Sequence, residues 1–337
     1  MLLLLFCELL WAFDGFDVSF FHSLLSNKNA ARAKKISTES KVRHGFSLNV
    51  NNFELSLSNT YTSIYNDSGN DALKFLQGLV TNDVNELTSS QYAAFLNNKG
   101  RVVSDVILSM VSKNDYLLDC HSDQSKVLTR QLKMYKLRSD VNVEDLSETH
   151  DVLWSKDNID VSAISVYEDP RVPELGTRFV VPTSEHDDVE DAEDYEDLRF
   201  RLGVAEGPEM SNSVPLEFNL DRLNGVSFRK GCYVGQELTA RTHFRGVVRK
   251  RCMPCTIRNE SQERSEDSPR VIKDSQTNKK VGKLISIRNN SKDETSLGLA
   301  MIRQEYFENR TTDSKWVLED SAVEIVPTLP EWWVVDE

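Results

Sequence analysis

The sequence predicts an α+β protein, and three observations carry that expectation. Strand-like and helix-like runs alternate without the even rhythm of a doubly wound sheet, and several strand candidates are joined by tight hairpin-type turns. Beyond Val247 the texture changes to short β-like runs divided by polar loops, which points to a separate all-β module at the C-terminal end. The chain has 337 residues, 39% of them apolar and 28% charged. That is enough for two or three domains with real cores.

Residues 1–44 stand apart as a targeting or disordered segment. Leu2–Phe13 is apolar but is interrupted by Glu8 and followed by Asp14. It is too short to span a bilayer and lacks the basic start of a secretory signal. Lys28–Arg43 is basic and serine-containing, the composition of a mitochondrial transit peptide, so an organellar address is expected. Phe46–Leu57 alternates, and Thr60–Tyr65 reads as a second short strand. Asp67-Ser68-Gly69 is turn chemistry, after which Asn70 or Asp71 can cap a helix over Ala72–Gln77 that Gly78 stops. Tyr92–Leu96 and Arg101–Val111 read as strands joined by a hairpin turn at Asn97-Asn98-Lys99-Gly100. Tyr116–Cys120 is a further strand, and Lys126–Leu137 carries apolar residues near helical spacing.

Glu185–Asp197 is densely acidic and lacks ligand spacing, so a solvated loop or surface helix is expected there. The first region therefore spans 45–246 and the β module 247–337, with strands over Val281–Ile287, Ser296–Met301 and Ala322–Val326. Residues 258–280 are polar and read as a mobile loop. Trp332 and Trp333 are expected to pack onto the β module. The formal charge of −13 and the pI near 5.1 make duplex nucleic acid and anionic membrane poor partners. The five cysteines are odd in number and irregularly spaced, which suggests a reducing compartment rather than a disulfide framework.

One stretch carries chemistry: Lys230-Gly231-Cys232-Tyr233-Val234-Gly235-Gln236-Glu237-Leu238-Thr239-Ala240-Arg241. Gly231 and Gly235 free the backbone for positive φ or for close approach. Gln236–Arg241 reads as a first helical turn with Glu237 and Arg241 at i,i+4. Cys232 then lies on a loop leading into a helix N-terminus, where free amides and the Lys230 ammonium would favour its thiolate. Such a thiolate can bind a soft metal, attack an electrophile or be oxidised. A small buried hydrophobe is the plainer reading of a lone cysteine. Cys252-Met253-Pro254-Cys255 is a C-x-x-C pair without a second pair or a histidine at ligand spacing, and reads as structural. His243 reads as a surface histidine.

Residues 215–246, PLEFNLDRLNGVSFRKGCYVGQELTARTHFRG, contain K-G-C-[FY]-x-G-Q-E in full and resemble the signature of the YgfZ/GcvT-like proteins. Within that group the chain is most similar to the mitochondrial iron–sulfur cluster assembly factors of the folate-binding T-protein superfamily. Further segments resemble the family in the same order: DALKFLQGLVTNDV, FLNNKGRVVSDVIL, YKLRSDVNVEDLS, DPRVPELGTRFVV and LRFRLGVAEG. The resemblance implies interleaved α+β modules around a central cavity, closed by a C-terminal β-barrel. It implies a maturation factor for [4Fe-4S] proteins, with A-type iron–sulfur carriers and apo clients as partners and tetrahydrofolate as a ligand. Asn82, Asp83, Asp105 and Arg199 are the implied folate-cavity residues, and Cys232 the implied contact for a transient or shared cluster. In that reading Lys230 keeps the thiol ionised and Gln236 bonds ligand or backbone. One cysteine cannot hold a cluster that takes about four ligands.

Two departures weaken a transferase mechanism and leave enzymatic activity open. Where T-proteins have G-G-[IV]-x-D-D, this chain reads Gly100-Arg101-Val102-Val103-Ser104-Asp105. Where they have L-R-x-E-x-G, it reads Leu198-Arg199-Phe200-Arg201-Leu202-Gly203. A folate-dependent aminomethyltransferase and a non-catalytic scaffold stand as the alternatives.

Overall fold

In a computed structural model the chain is described over residues 56–57, 63–157, 159, 161–185, 190–191, 193–259, 270–289, 295–311 and 314–333. The expectations for residues 1–44, and for most of Phe46–Leu57, lie outside the described residues. The chain lays down β1 (Ser56–Leu57), β2 (Ser63–Ser68), α1 (Ala72–Gln77), β3 (Ser90–Leu96), β4 (Val102–Ser112) and β5 (Asp115–Cys120). Then come α2 (Ser125–Lys136), β6 (Asn142–Asp145), β7 (His150–Ser155), β8 (Ser165–Glu168), β9 (Thr177–Pro182), β10 (Glu190–Asp191) and α3 (Glu193–Leu202). The helix α4 (Gln236–Arg245) leads into β11 (Lys250–Arg258), β12 (Val271–Asp274), β13 (Lys280–Arg288), β14 (Ser296–Arg303), α5 (Gln304–Glu308), β15 (Trp316–Leu318) and β16 (Glu324–Pro327).

These strands form two five-stranded sheets and a closed barrel. The first sheet runs β3-β4-β5-β2-β6, the second β10-β1-β7-β9-β8, and the barrel β11-β14-β13-β12-β15-β16. The modules are interleaved: β1 belongs to the second sheet, pairing antiparallel with β7, yet β2 to β6 of the first sheet intervene. This is the α+β architecture with a C-terminal barrel that the sequence predicts. The helix over Ala72–Gln77 and its stop at Gly78 stand as read, although the Asp71 carboxylate accepts the Asp140 N–H rather than capping the helix.

One stretch departs from expectation. Residues 258–280 were expected to be a loop throughout, yet Val271–Asp274 is a barrel strand between β13 and β15. Ile272 is fully buried in the barrel core. A single inward-facing isoleucine suffices, because side chains alternate across a strand and the outward positions stay polar.

Apolar side chains of α1 and α2 pack on one face of the first sheet, around Leu76, Phe95, Leu118, Leu128 and Leu132. The largest core joins both sheets, α3 and the barrel through Tyr92, Leu96, Trp154, Tyr195, Leu220, Cys252 and Leu299. The barrel has its own interior, which Trp316 and Trp333 enter. Trp332 donates its indole N–H to the Leu202 carbonyl at 2.8 Å, fastening the C-terminal segment to the end of α3. Cys252 and Cys255 are buried in β11; burial pushes both thiols up, that of Cys255 to about 12. Both stay protonated at any ordinary pH, which matches a structural role.

Candidate functional site

The cysteine motif forms a loop anchored at several points. The Lys230 ammonium donates to the carbonyl oxygens of Gln77 (2.9 Å), Val80 (2.7 Å) and Asn82 (2.6 Å). An ammonium has three N–H donors, and all three are committed to the end of α1 and the segment that follows it. Burial lowers the Lys230 pKa to about 8, against the pull of the nearby Asp83 carboxylate. The ammonium also lies 4.9 Å from the centre of the Tyr233 ring. Val234 N–H bonds Gly78 O at 3.0 Å, and Ser227 N–H bonds Thr81 O at 3.1 Å. The motif and the Gln77–Asp83 segment therefore form one hydrogen-bonded unit, although about 150 residues separate them.

The other end of the loop is held by two glycines. Gly235 takes φ 79° immediately before α4. A Cβ there would stand 2.4 Å from Asn97 O, and one on Gly100 (φ 75°) would stand 2.8 Å from Gly235 O. The β3–β4 hairpin turn and the start of α4 thus meet backbone to backbone, which only glycine permits. Gln236 Oε1 accepts the Tyr233 N–H at 3.2 Å, a bond to backbone within the loop. Gly231 has open space where a Cβ would point, so nothing at that position demands glycine. Glu237 and Arg241 face solvent 3.9 Å apart, a weak exposed pair. Between these anchors Cys232 is exposed and unbridged, four residues ahead of Gln236, which begins α4.

Asn82 and Asp83 belong to the framework of this loop. Asn82 Nδ2 donates to Tyr92 O (2.9 Å) and Asn224 O (2.6 Å). Asp83 accepts from Gln77 Nε2 and from the backbone of Asn85. Asp105 and Arg199 lie elsewhere, in a buried polar centre between the sheets and α3. Tyr92 is the link, its carbonyl bound to Asn82 and its hydroxyl donating to Asp105 at 3.3 Å. Asp105 also accepts the Gly207 N–H at 2.9 Å. Burial, reinforced by the neighbouring Glu206, raises the Asp105 pKa to about 6.

Around Asp105 three buried guanidiniums are each paired with carboxylates. Arg171 pairs with Asp169 and Glu206, Arg178 with Asp119, and Arg199 with Glu196 (2.7 Å) and Glu209 (3.0 Å). Burial alone would raise the Glu206 carboxyl, but Arg171, Arg178 and Arg199 override that and hold it far below the usual carboxylate range. Sequence reading did not single out Arg171, Arg178 or Glu206. Their signal was present, since they lie within the DPRVPELGTRFVV and LRFRLGVAEG segments.

This centre does not fit tetrahydrofolate as it stands. The enclosed space beside Asp105, Arg171, Arg178 and Glu206 is about 20 Å³. That holds about one water, whereas a ligand of folate size takes several hundred Å³. A cleft of about 250 Å³ beside Arg199 and the barrel residues Ser286–Arg288 is lined by Glu196, Glu206 and Glu209. The buried guanidinium that would meet an anionic glutamate tail is already bound to those carboxylates.

With that geometry in view, the chain can be set beside known proteins. The GCVT N-terminal domain model matches residues 60–154, and the CAF17 C-terminal β-barrel domain model matches residues 249–335. The mouse (Mus musculus) iron–sulfur cluster assembly factor IBA57, mitochondrial, is 30% identical over 311 residues, covering 79% of this chain and 81% of its own length. The chain belongs to the IBA57 family. Its counterparts in Mycosarcoma maydis and Neurospora crassa are 42% and 39% identical over 56% of this chain. The chain spans about half the length of these two fungal relatives, 54% and 51%. Among solved structures, the glycine cleavage system aminomethyltransferase T from Bartonella henselae superposes with a TM-score of 0.63 at 12% identity, over 83% of this chain and 86% of that one. At that identity the likeness establishes the fold alone, and the fold is the T-protein type.

Proposed function

We propose that this chain is an assembly factor for four-iron iron–sulfur clusters in the mitochondrial matrix, with Cys232 as the thiolate that meets the cluster. The carrying observation is the contrast within the motif loop. Lys230, Val234, Gly235 and Gln236 are all fixed by bonds or close packing, and they present an exposed thiol. A thiolate is the soft ligand that iron–sulfur chemistry uses. The mouse and fungal relatives carry the name of mitochondrial iron–sulfur cluster assembly factor, which supports both the activity and the compartment.

Among the described residues, no group of three or more His, Cys, Asp or Glu stands together as a metal site. A cluster at Cys232 is therefore cargo shared with a partner, which we assign to an A-type carrier, before delivery to apo four-iron clients. The T-protein fold supports tetrahydrofolate as a ligand, and we place it outside the space beside Asp105, which at about 20 Å³ has no room for it.

The test is complementation of cells lacking the endogenous factor, read as activity of a mitochondrial four-iron enzyme at matched protein level. Cys232→Ser is expected to fail and Asp105→Asn to rescue. Full rescue by Cys232→Ser together with failure of Asp105→Asn would sink this assignment and move folate chemistry to the buried centre.

A further inference from the structure

Beside Cys232 the chain exposes a surface at odds with its own composition. The loop from Phe228 to Gly235 runs along α4. Phe228 stacks on His243 near the C-terminal end of the helix (3.5 Å between ring centres), and Gly235 begins its N-terminal end. Cys232 lies between these two contacts, four residues after Phe228 and three before Gly235. The side of α4 that carries Thr239 is buried. Phe244, about 140° around the helix from Thr239, is 67% exposed, and Val247 just beyond is 78% exposed.

Cations surround these apolar groups. Arg229, Arg245 and Arg249 are exposed, and among the described residues none of the three makes an ion pair or a side-chain hydrogen bond. The chain as a whole carries a formal charge of −13, so a cluster of unpaired arginines around an exposed phenylalanine is a local reversal. An aromatic anchor ringed by arginine is the composition of a protein-binding hot spot. Single exposed apolar residues need no explanation, but here they stand with unpaired charge on the helix that the exposed thiol's loop leads into.

We infer that the α4 face bearing Phe244, Val247, Arg245 and Arg249 docks an acidic protein surface with an apolar pocket for Phe244, and that the docked protein is the one that shares the cluster with Cys232. The inference deepens the function proposed above and rests on it. Charge complementarity selects this occupant. A second copy of the chain would bring like-charged arginine faces together, and an anionic bilayer would be repelled by the remaining acidic surface.

Titration calorimetry of the full chain with a purified A-type carrier tests this. Phe244→Ser is expected to weaken binding by at least about tenfold. The pair Arg245→Glu and Arg249→Glu is expected to weaken it by a similar factor and to flatten its salt dependence. These side chains are exposed, so unchanged thermal unfolding is expected and separates docking from folding. Loss of binding in these variants while Cys232→Ser still binds supports the surface even if the thiol reading fails. Unchanged affinity in all of them while Cys232→Ser loses binding overturns the surface and leaves the thiol reading intact. A wild-type chain that does not bind the carrier overturns both. A homodimer that Phe244→Ser dissociates, or wild-type binding to phosphatidylserine–phosphatidylcholine vesicles instead of the carrier, assigns the face to another occupant and overturns the inference.

Discussion

Lys230 shows how a side chain two residues from an exposed thiol can serve chiefly to place the loop that carries it. Its ammonium is spent on three carbonyls from the Gln77–Asn82 segment, and Val234 adds a backbone bond to the same segment. Lys230→Met keeps the length of the side chain and removes all three bonds. Leaving partly buried carbonyls unpaired is expected to cost about 2 kcal/mol of stability. Exchange of the Val234 amide, followed by mass spectrometry, should quicken more than exchange in the barrel. Lys230→Arg should not rescue, because a planar fork cannot aim at three carbonyls arranged around a point. At this scale the sequence was half legible. The presence of Lys230 and Cys232 in one motif was readable, whereas Gln236 was read as bonding ligand or backbone and proves to accept from the Tyr233 N–H. That the lysine acts on carbonyls was hidden, because carbonyls carry no residue identity and lie about 150 positions away.

Between elements, the contact that matters is that of the β3–β4 turn with the start of α4. Each partner was legible alone: Asn97-Asn98-Lys99-Gly100 as a hairpin turn and Gly235 as the stop before a helix. Their meeting was not, since nothing local says which turn touches which helix. Gly235→Ala must adopt φ near 79° and move Asn97 O, and it is expected to cost about 3 kcal/mol. Gly100→Ala should cost a similar amount, and the double variant less than the sum, because both relieve the same approach. Denaturant unfolding of the four proteins checks this; strict additivity would show that the glycines act separately. The strand at Val271–Asp274 escaped for another reason. A barrel strand needs few inward apolar residues, and Ile272 is the one at full burial, too weak a periodic signal inside a polar stretch.

At the scale of the molecule, the α+β architecture and its terminal barrel stand as the sequence predicted, and the centre beside Asp105 is a closely packed group of arginines and carboxylates. Acidic and basic residues in that centre looked like ordinary charged positions, because pairing is decided by tertiary contacts. Asp105 gives it a pH signature. Its folded pKa is about 6, above the ordinary 3.8, so its contribution to stability is fully present below about pH 4 and is lost as pH rises through about 6. The two-unit shift corresponds to on the order of 3 kcal/mol against the ionised form. Asp105→Asn should therefore stabilise the protein at pH 7.5 by about 2 kcal/mol, and the gain should vanish near pH 4. Thermal unfolding across that range is the measurement. Glu206 works in the opposite sense. Its pKa is depressed, so its contribution is present at neutral pH and fades only in acid below the usual carboxylate range.

The barrel closes when its first strand, β11, pairs with its last, β16, at Cys255 opposite Pro327 and Arg258 opposite Glu324. A chain that is synthesised from its N-terminus, or threaded N-terminus first through a membrane pore, delivers β11 long before the strand that completes it. Until then β11 is an open edge, and Cys255, which belongs to the barrel interior, is reachable by oxidants that the finished barrel excludes. The burial of that thiol thus depends on the last strand to arrive, and a prematurely terminated chain would expose it permanently.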